Sequence, residues 1–285
     1  MIKNTIGIAN KAVIICSMIL VSQCQDQTNS ALSLYDLGKH SGESFELSSE
    51  IREISGLEMS KDNRLFAHND ERGIIYQLDL NSGNIIKKFI IGRFIKKSDF
   101  EGIAIAGDFF YLVTSNGKIA EFKEAGNRGS SPYELYHTGL NKKNNVEGLC
   151  YDPDTKCLLL ACKGDAGKEF KNYKAVYAFS LETKKLIPEP RFLIKEKTIL
   201  SQYNVDEFKP SGIAMHPLTG TYFILAAAGR IIVELSRDGK ILDAQKLNHK
   251  IHEQPEGICF STDYTMFISD EGKKHGKLTR YKINK

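Results

Sequence analysis

The sequence predicts an all-β protein, a five-bladed β-propeller made of four-stranded antiparallel blades. A short stretch that ends in glycine recurs five times in the 285 residues, at Gly56, Gly102, Gly148, Gly212 and Gly257. The steps between these glycines are 46, 46, 64 and 45 residues, and a period near 45 is typical of propeller blades. Helical periodicity is absent over any useful length outside the N-terminal region, which favours an all-β fold.

Each repeat contains four predicted strands, and the fourth repeat illustrates them. Its first strand begins at Gly212, and a turn at Pro217 separates it from an apolar second strand at residues 222–226. The third strand, residues 231–235, leads through an Asp-Gly turn to a more polar fourth strand at residues 241–246. Asp-Gly is a typical hairpin turn, and apolar inner strands with a polar outer strand are what a blade requires.

The last repeat has no fourth strand of its own after its third strand at residues 278–283. We expect the segment before the first repeat, residues 32–47, to supply it, because a ring closed in this way leaves no sheet edge exposed. The count is then five blades. Six blades are the alternative, with a degenerate blade hidden in the long third step, where insertions fall at residues 163–174 and 184–206.

The N-terminal residues 1–23 are predicted to be a signal peptide. Lys3 and Lys11 accompany an apolar run of ten residues at positions 12–21, with no acidic residue. The run fits the hydrophobic region of a signal peptide and is too short to span a bilayer, which needs about 20 residues.

Cys24 follows this region directly, and the arrangement resembles a bacterial lipobox, in which the cysteine carries a lipid. We therefore expect a tether at residues 24–31, a single propeller domain at residues 32–285, and a membrane-anchored lipoprotein of the bacterial cell envelope. The alternative is a plain signal peptide cut nearby, which predicts a periplasmic or secreted protein.

The charge of the chain excludes one class of partner. The formal net charge is +4, and removal of residues 1–23 with their two lysines lowers it to +2. A value so near neutrality gives no basis for nucleic-acid binding, so we expect no nucleic-acid partner.

Four cysteines belong to the predicted domain: Cys150, Cys157, Cys162 and Cys259. Cys150 and Cys157 flank a turn, and a disulfide between them is an alternative in an oxidising compartment. The favoured interpretation is that all four are buried thiols that act as small hydrophobic residues.

Five segments carry a resemblance to a known family, namely residues 53–57, 99–103, 146–149, 210–217 and 254–258. Their order resembles the SdiA-regulated family of bacterial propellers, and the resemblance covers about residues 32–285. It implies a five-bladed propeller distantly similar to NHL-repeat proteins, with calcium in the central region. It implies no reaction.

Three glutamates precede the repeated glycines: Glu101, Glu147 and Glu256. Because the first strand of every blade lines the channel of a propeller, we expect these carboxylates to meet at the channel mouth, with Ser55 and Ser211 in the other two repeats. Carboxylates so close together repel one another, and a bound cation removes that cost. Oxygen ligands suit Ca²⁺, which accepts 6–8 of them. The alternative is that each glutamate binds backbone N–H groups between blades and has only a structural role.

The leading functional hypothesis is a non-enzymatic lipoprotein that binds Ca²⁺ at the channel mouth together with a small anionic or sugar-like ligand or an envelope protein. The polar loops between second and third strands open on the same face and could contact such a ligand. A third hypothesis is a scaffold that only docks another envelope protein.

The rival hypothesis is a Ca²⁺-dependent hydrolase of the lactonase, phosphoesterase or phytase type. The metal would polarise a substrate oxygen, and Asp70, Glu71 or Asp270 would be the base. The sequence contains neither a GxSxG nor an HExxH motif, so no other hydrolase chemistry is indicated.

Overall fold

The computed structural model describes residues 30–38, 42–93 and 98–284, which form five sheets that are antiparallel except for a short parallel pair between residues 90–91 and 130–131. Residues 1–23, Cys24 and the predicted tether as far as residue 29 lie outside the described residues. No helix within the described ranges is long and apolar enough to cross a membrane.

The strands, in chain order, are β1 (Glu43–Glu46), β2 (Ile54–Met59), β3 (Leu65–Asn69), β4 (Ile74–Leu78), β5 (Ile85–Ile91), β6 (Phe100–Ala106), β7 (Phe109–Thr114), β8 (Lys118–Lys123), β9 (Ser130–Ser131), β10 (Tyr133–His137), β11 (Val146–Asp152), β12 (Cys157–Cys162), β13 (Tyr173–Ser180), β14 (Lys185–Leu186), β15 (Phe192–Lys195), β16 (Lys209–Met215), β17 (Tyr222–Ala228), β18 (Ile231–Leu235), β19 (Ile241–Lys246), β20 (Pro255–Phe260), β21 (Met266–Asp270) and β22 (Lys277–Tyr281). The helices are α1 (Glu196–Tyr203) and three 3₁₀ turns at Ala31–Leu34, Ser49–Ile51 and Lys168–Phe170.

The five sheets are the blades of a propeller, and their first strands form a closed ring. Strand β2 contacts β6, and the contacts continue through β11, β16 and β20 back to β2. We call the face at which these first strands begin the mouth face. The predicted five-bladed propeller is confirmed, and the six-bladed alternative is wrong.

The ring is closed by a strand from the N-terminal side, as predicted. Strand β1 pairs antiparallel with β22, from Glu43 opposite Arg280 to Glu46 opposite Lys277. The Arg280 guanidinium donates from Nε and Nη2 to Glu43 Oε2 at 2.8 and 2.6 Å. The pairing covers the outer edge of β22, which a three-stranded blade would leave open.

The 64-residue distance between Gly148 and Gly212 is explained by irregular additions to the third blade. Its outer strand is in two pieces, because both β14 and β15 pair with β13, and α1 follows before the fourth blade. No sixth blade is formed by these residues. The eight-residue helix α1 was not predicted, and its single fully buried residue, Ile199, gives too weak a pattern to detect.

The N-terminal segment is clamped to the fourth blade by one buried carboxylate. Glu234 Oε2 accepts from Ser30 Oγ at 2.6 Å and from Leu32 N at 2.9 Å, and its Oε1 accepts from Ala31 N at 3.1 Å and from Thr221 Oγ1 at 2.7 Å. Glu234 lies near the end of a third strand, which runs away from the mouth face, so the segment is attached at the opposite face.

The four cysteines of the domain are buried and free. Cys150 is opposite Leu159 in the β11–β12 pair, whereas Cys157 is opposite Asp152. The alternative of a disulfide between Cys150 and Cys157 is therefore wrong, and the interpretation as buried thiols is confirmed.

Apolar side chains fill the space between neighbouring blades. The second strands are the most deeply buried, and Leu158, Leu159 and Leu160 are completely inaccessible to solvent. Between the first two blades, Phe66 meets Phe110 edge to face, with ring centroids 4.9 Å apart. This packing holds the first strands rigidly around the channel.

Candidate functional site

The residue before each repeated glycine is the extra residue of a β-bulge. In all five first strands the pairing register skips one position, and the skipped residues are Ser55, Glu101, Glu147, Ser211 and Glu256. A bulge re-aims a side chain away from the regular alternation of a strand. The five side chains line one narrow pocket on the axis, and we call this set the inner tier.

The glycines are required by the close approach of the first strands. A Cβ atom on Gly102 would lie 2.7 Å from the backbone nitrogen of Leu149 in the next blade. A Cβ atom on Gly148 would lie 2.9 Å from the carbonyl carbon of Gly212. These distances are shorter than van der Waals contacts, so only glycine permits the ring to close this tightly around the inner tier.

The inner tier contains three carboxyl groups that repel one another when they are ionised. Burial raises the pKa of Glu101, and the carboxylates of Glu147, Asp99 and Glu256 raise it further. Burial and Glu147 raise the pKa of Glu256 to about 8. Burial also raises the pKa of Glu147, although the neighbouring Lys163 opposes the shift. A raised pKa favours the protonated carboxyl, so ionisation of all three groups together is costly unless a cation is bound beside them.

Side chains, not loop N–H groups, are the described hydrogen-bond partners of these glutamates. Glu147 Oε1 accepts from Asn145 Nδ2 at 2.6 Å and lies 3.1 Å from Lys163 Nζ. Ser55 Oγ donates to Glu101 Oε2 at 3.4 Å. Glu256 Oε1 accepts from the side-chain amide of Gln254 at 3.3 Å. This pattern argues against the purely structural alternative.

Ser211 has the structural role instead. Its Oγ donates to the carbonyl of Pro255 in the next blade at 2.7 Å and accepts from Ala227 N at 3.1 Å. The hydroxyl thus joins the fourth and fifth blades, which fixes the ring at a position without a carboxylate.

A second set of residues stands above the inner tier, which we call the outer tier. Each member directly follows the second strand of its blade. Its backbone N–H donates to the carbonyl of the residue that lies two positions before the inner-tier residue of the same blade. The outer tier consists of Asp70, Ser115, Lys163 and Glu271, whose nitrogens lie 3.3, 3.0, 2.8 and 2.9 Å from the carbonyl oxygens of Glu53, Asp99, Asn145 and Gln254. The outer tier is therefore polar, and Lys163 is its cationic member.

The three candidate bases lie in different surroundings. Asp70 belongs to the outer tier, and burial together with Glu53 and Glu271 raises its pKa to about 6. Its Oδ1 is buried and has no hydrogen-bond partner among the described residues. Glu71 follows Asp70 in the same loop and is exposed.

Asp270 is separated from the mouth by burial. It is 2% exposed, and its Oδ2 lies 2.7 Å from His252 Nδ1, whose Nε2 lies 2.7 Å from Tyr281 Oη. The network of Asp270, His252 and Tyr281 ties the fifth blade together in its interior. Sequence spacing did not reveal it, because His252 lies in the connection before β20.

Lys163 was also missed as a site residue. Sequence reasoning placed it only in a polar loop. An alignment of the repeats by their second strands would have found it, because it occupies the position of Asp70 and Glu271 in the third blade.

The donor chemistry of the inner tier fits a hard divalent cation. All of its side-chain donors are oxygen atoms, and three are carboxylates whose mutual repulsion a cation would relieve. Among the described residues, no three His, Cys, Asp or Glu side chains are already at metal-holding distances. A bound ion would therefore have to draw Glu101, Glu147 and Glu256 together.

Solved structures share the fold. At 12% identity, glutaminyl cyclase from Myxococcus xanthus matches 86% of this chain and 97% of its own with a TM-score of 0.54. A luciferin-regenerating enzyme matches with 10% identity and a TM-score of 0.53, covering 85% of this chain and 95% of its own. A protein from Thermus thermophilus described as a putative oxidoreductase (glucose dehydrogenase) has 10% identity and a TM-score of 0.51, covering 84% and 99% of the two chains. At these identities the likeness concerns the fold alone.

Sequence comparison identifies the family. No curated protein matches the chain. The profile of the SdiA-regulated family matches residues 46–274, which contain all five first strands and both tiers of the mouth. The chain belongs to the SdiA-regulated family.

Proposed function

We propose that this chain is an exported propeller protein that binds a divalent cation, Ca²⁺, at the mouth of its central channel. The observation that carries the proposal is the convergence of Glu101, Glu147 and Glu256 from three blades, with their pKa values raised by burial and mutual repulsion. These carboxylates would hold the ion, which would neutralise them. Ser55 offers a further oxygen, whereas Ser211 is already engaged between blades.

The outer tier supports a ligand- or protein-binding role around such an ion. It presents carboxylates, a hydroxyl and one ammonium group on the same face as the inner tier. A small anionic or sugar-like ligand, or a polar segment of an envelope protein, has groups that match this mixture. The Lys163 ammonium and the ion would contact its oxygens, and Asp70 and Glu271 would accept from its hydroxyl groups.

Calorimetric titration with Ca²⁺ tests the proposal. We expect the wild-type domain to bind and the double variant Glu101→Gln, Glu147→Gln to lose measurable binding. The matched control is Glu182→Gln, Glu189→Gln, which removes two exposed carboxylates far from the axis and should bind as wild type does. Absence of heat in the wild type, or equal binding by all three proteins, would refute a cation site at the mouth.

A Ca²⁺-dependent hydrolase is the second candidate, and Asp70 is the observation that favours it. A carboxyl group in the outer tier with a pKa of about 6, and with one oxygen unpartnered among the described residues, has the properties of a general base. A screen of lactones and phosphoesters, with and without chelator, would detect the reaction. Turnover lost in Asp70→Asn but kept in the exposed control Asp206→Asn would establish it, and inactivity throughout would favour the binding protein.

Export and lipid attachment complete the proposal. Their support is the apolar run at residues 12–21 and the position of Cys24 three residues after its end. Labelled fatty acid should enter the wild-type protein in bacterial membranes and should not enter Cys24→Ala. Release of an unlabelled wild-type protein into the periplasm or medium would indicate a plain signal peptide instead.

A further inference from the structure

One cation already lies among the acidic side chains of the mouth, namely the ammonium group of Lys163. Its Nζ is 3.1 Å from Glu147 Oε1 in its own blade. Its charge also lowers the pKa of Glu101 in the second blade. It has the same effect on Glu256 and Glu271 in the fifth blade. The ammonium group therefore contacts one carboxylate of the mouth and influences carboxyl groups of three blades.

The backbone of Lys163 is fixed by hydrogen bonds, whereas its side chain is held by the ion pair with Glu147 and partly faces solvent. Three successive N–H groups, those of residues 163, 164 and 165, donate to the carbonyls of residues 145, 144 and 143 at 2.8, 2.9 and 2.7 Å. A Cβ atom on Gly164 would lie 2.1 Å from the Lys143 carbonyl oxygen, so this close pairing requires glycine. The Lys163 side chain itself is 34% exposed. The hydrogen bonds that hold this loop use its backbone and do not involve the ammonium group.

We propose that Lys163 is an internal competitor for the cation site, which holds the carboxylates in the metal-free protein and is displaced when a divalent ion binds. This inference rests on the cation site proposed above. The ammonium group and the ion would share the carboxylate of Glu147. Ca²⁺ binds oxygen at about 2.3–2.6 Å, and two cations held by one carboxylate repel each other. The displaced side chain would remain tethered at the outer tier, where it can meet an anionic ligand.

The proposal predicts opposite effects of Lys163→Met on affinity and on metal-free stability. Calorimetry should show Ca²⁺ binding about tenfold tighter than in the wild type, the order of effect for a partly buried charge pair. In chelator, the variant should melt below the wild type, and saturating Ca²⁺ should abolish or reverse that difference. Lys163→Arg keeps the charge and should remain near wild type, and Lys142→Met controls for the loss of one exposed positive charge.

The outcomes separate this inference from the cation site itself. Tighter binding in Lys163→Met alone supports competition. Equal or weaker binding in Lys163→Met, or an equal loss of thermal stability with and without Ca²⁺, overturns it and leaves the cation site intact. Failure of every protein to bind Ca²⁺ refutes the cation site and the competition together.

Discussion

At the scale of single residues, a glycine and the bulge residue before it act as a pair. The glycine allows neighbouring first strands to approach, and the bulge aims the preceding side chain into the channel. Each function needs the other, because a wider ring would hold the carboxylates of the inner tier too far apart to share a cation.

Gly148→Ala should destabilise the protein by about 2–3 kcal/mol, because the new methyl group would press on the backbone of the next blade. Gly126→Ala is the matched control, since a Cβ atom there meets nothing within 4 Å. Chemical denaturation measures both. Equal stability of the two variants would show that the ring is not limited by contact at Gly148.

The inner tier could be predicted from the sequence because its residues occupy equivalent positions in a repeat, and such positions can be read from the sequence alone. Equivalent positions such as Glu101 and Glu256 are found by counting, and a propeller carries them to one axis. The position of Lys163 follows from an alignment of the second strands, but its effect on the inner tier does not, since its charge extends from a loop through a long side chain. Its contact with Glu147 depends on side-chain direction, which spacing does not encode.

At the scale of elements, the N-terminal segment is part of the fold. It supplies β1 and buries Leu32 and Tyr35 against the fourth and fifth blades. Tyr35 Oη donates to the Tyr264 carbonyl at 2.7 Å and lies 2.9 Å from His216 Nε2. The strand was predictable from the missing edge partner, whereas the Glu234 clamp joins residues some 200 positions apart and leaves no local pattern.

Glu234→Ala should cost about 3–4 kcal/mol of stability, because it leaves the N–H and hydroxyl donors of the clamp without an acceptor in a buried place. Glu43→Gln is the control, since the Glu43 side chain is 56% exposed and an ion pair with such a partner contributes about 1 kcal/mol or less. Urea unfolding, with limited proteolysis near Ser30, measures the effect. A loss no larger than that of Glu43→Gln would show that the clamp contributes little.

At the scale of the whole molecule, two sets of buried groups give the stability opposite dependences on pH. Burial lowers the pKa of His68 and His216 from 6.5 to about 4. Below pH 6.5 the unfolded chain therefore binds more protons than the folded protein does, and the stability falls on acidification. The inner-tier carboxyls behave conversely. With the pKa of Glu256 raised from 4.5 to about 8, the folded state binds more protons across that window, and stability falls as pH rises.

Between pH 6.5 and 8, the inner-tier carboxyl groups determine whether the stability of the protein rises or falls with pH. We expect the melting temperature in chelator to fall over this range, with at most about 2 kcal/mol from Glu256. Saturating Ca²⁺ should flatten the slope, and Glu256→Gln should reduce it without metal. Thermal unfolding at four pH values in each condition provides the measurement, and a melting temperature that stays level or rises in chelator would contradict the electrostatics of the inner tier.

The clamp at Glu234 also determines how the molecule would sit on a membrane. It holds Ser30 at the face opposite the mouth, and six further residues back to Cys24 reach at most about 20 Å. With a lipid on Cys24, the face opposite the mouth would be turned toward the headgroups and the mouth face toward the surrounding compartment. A soluble ligand could then reach the two tiers by free diffusion, and a partner would bind on the side away from the bilayer.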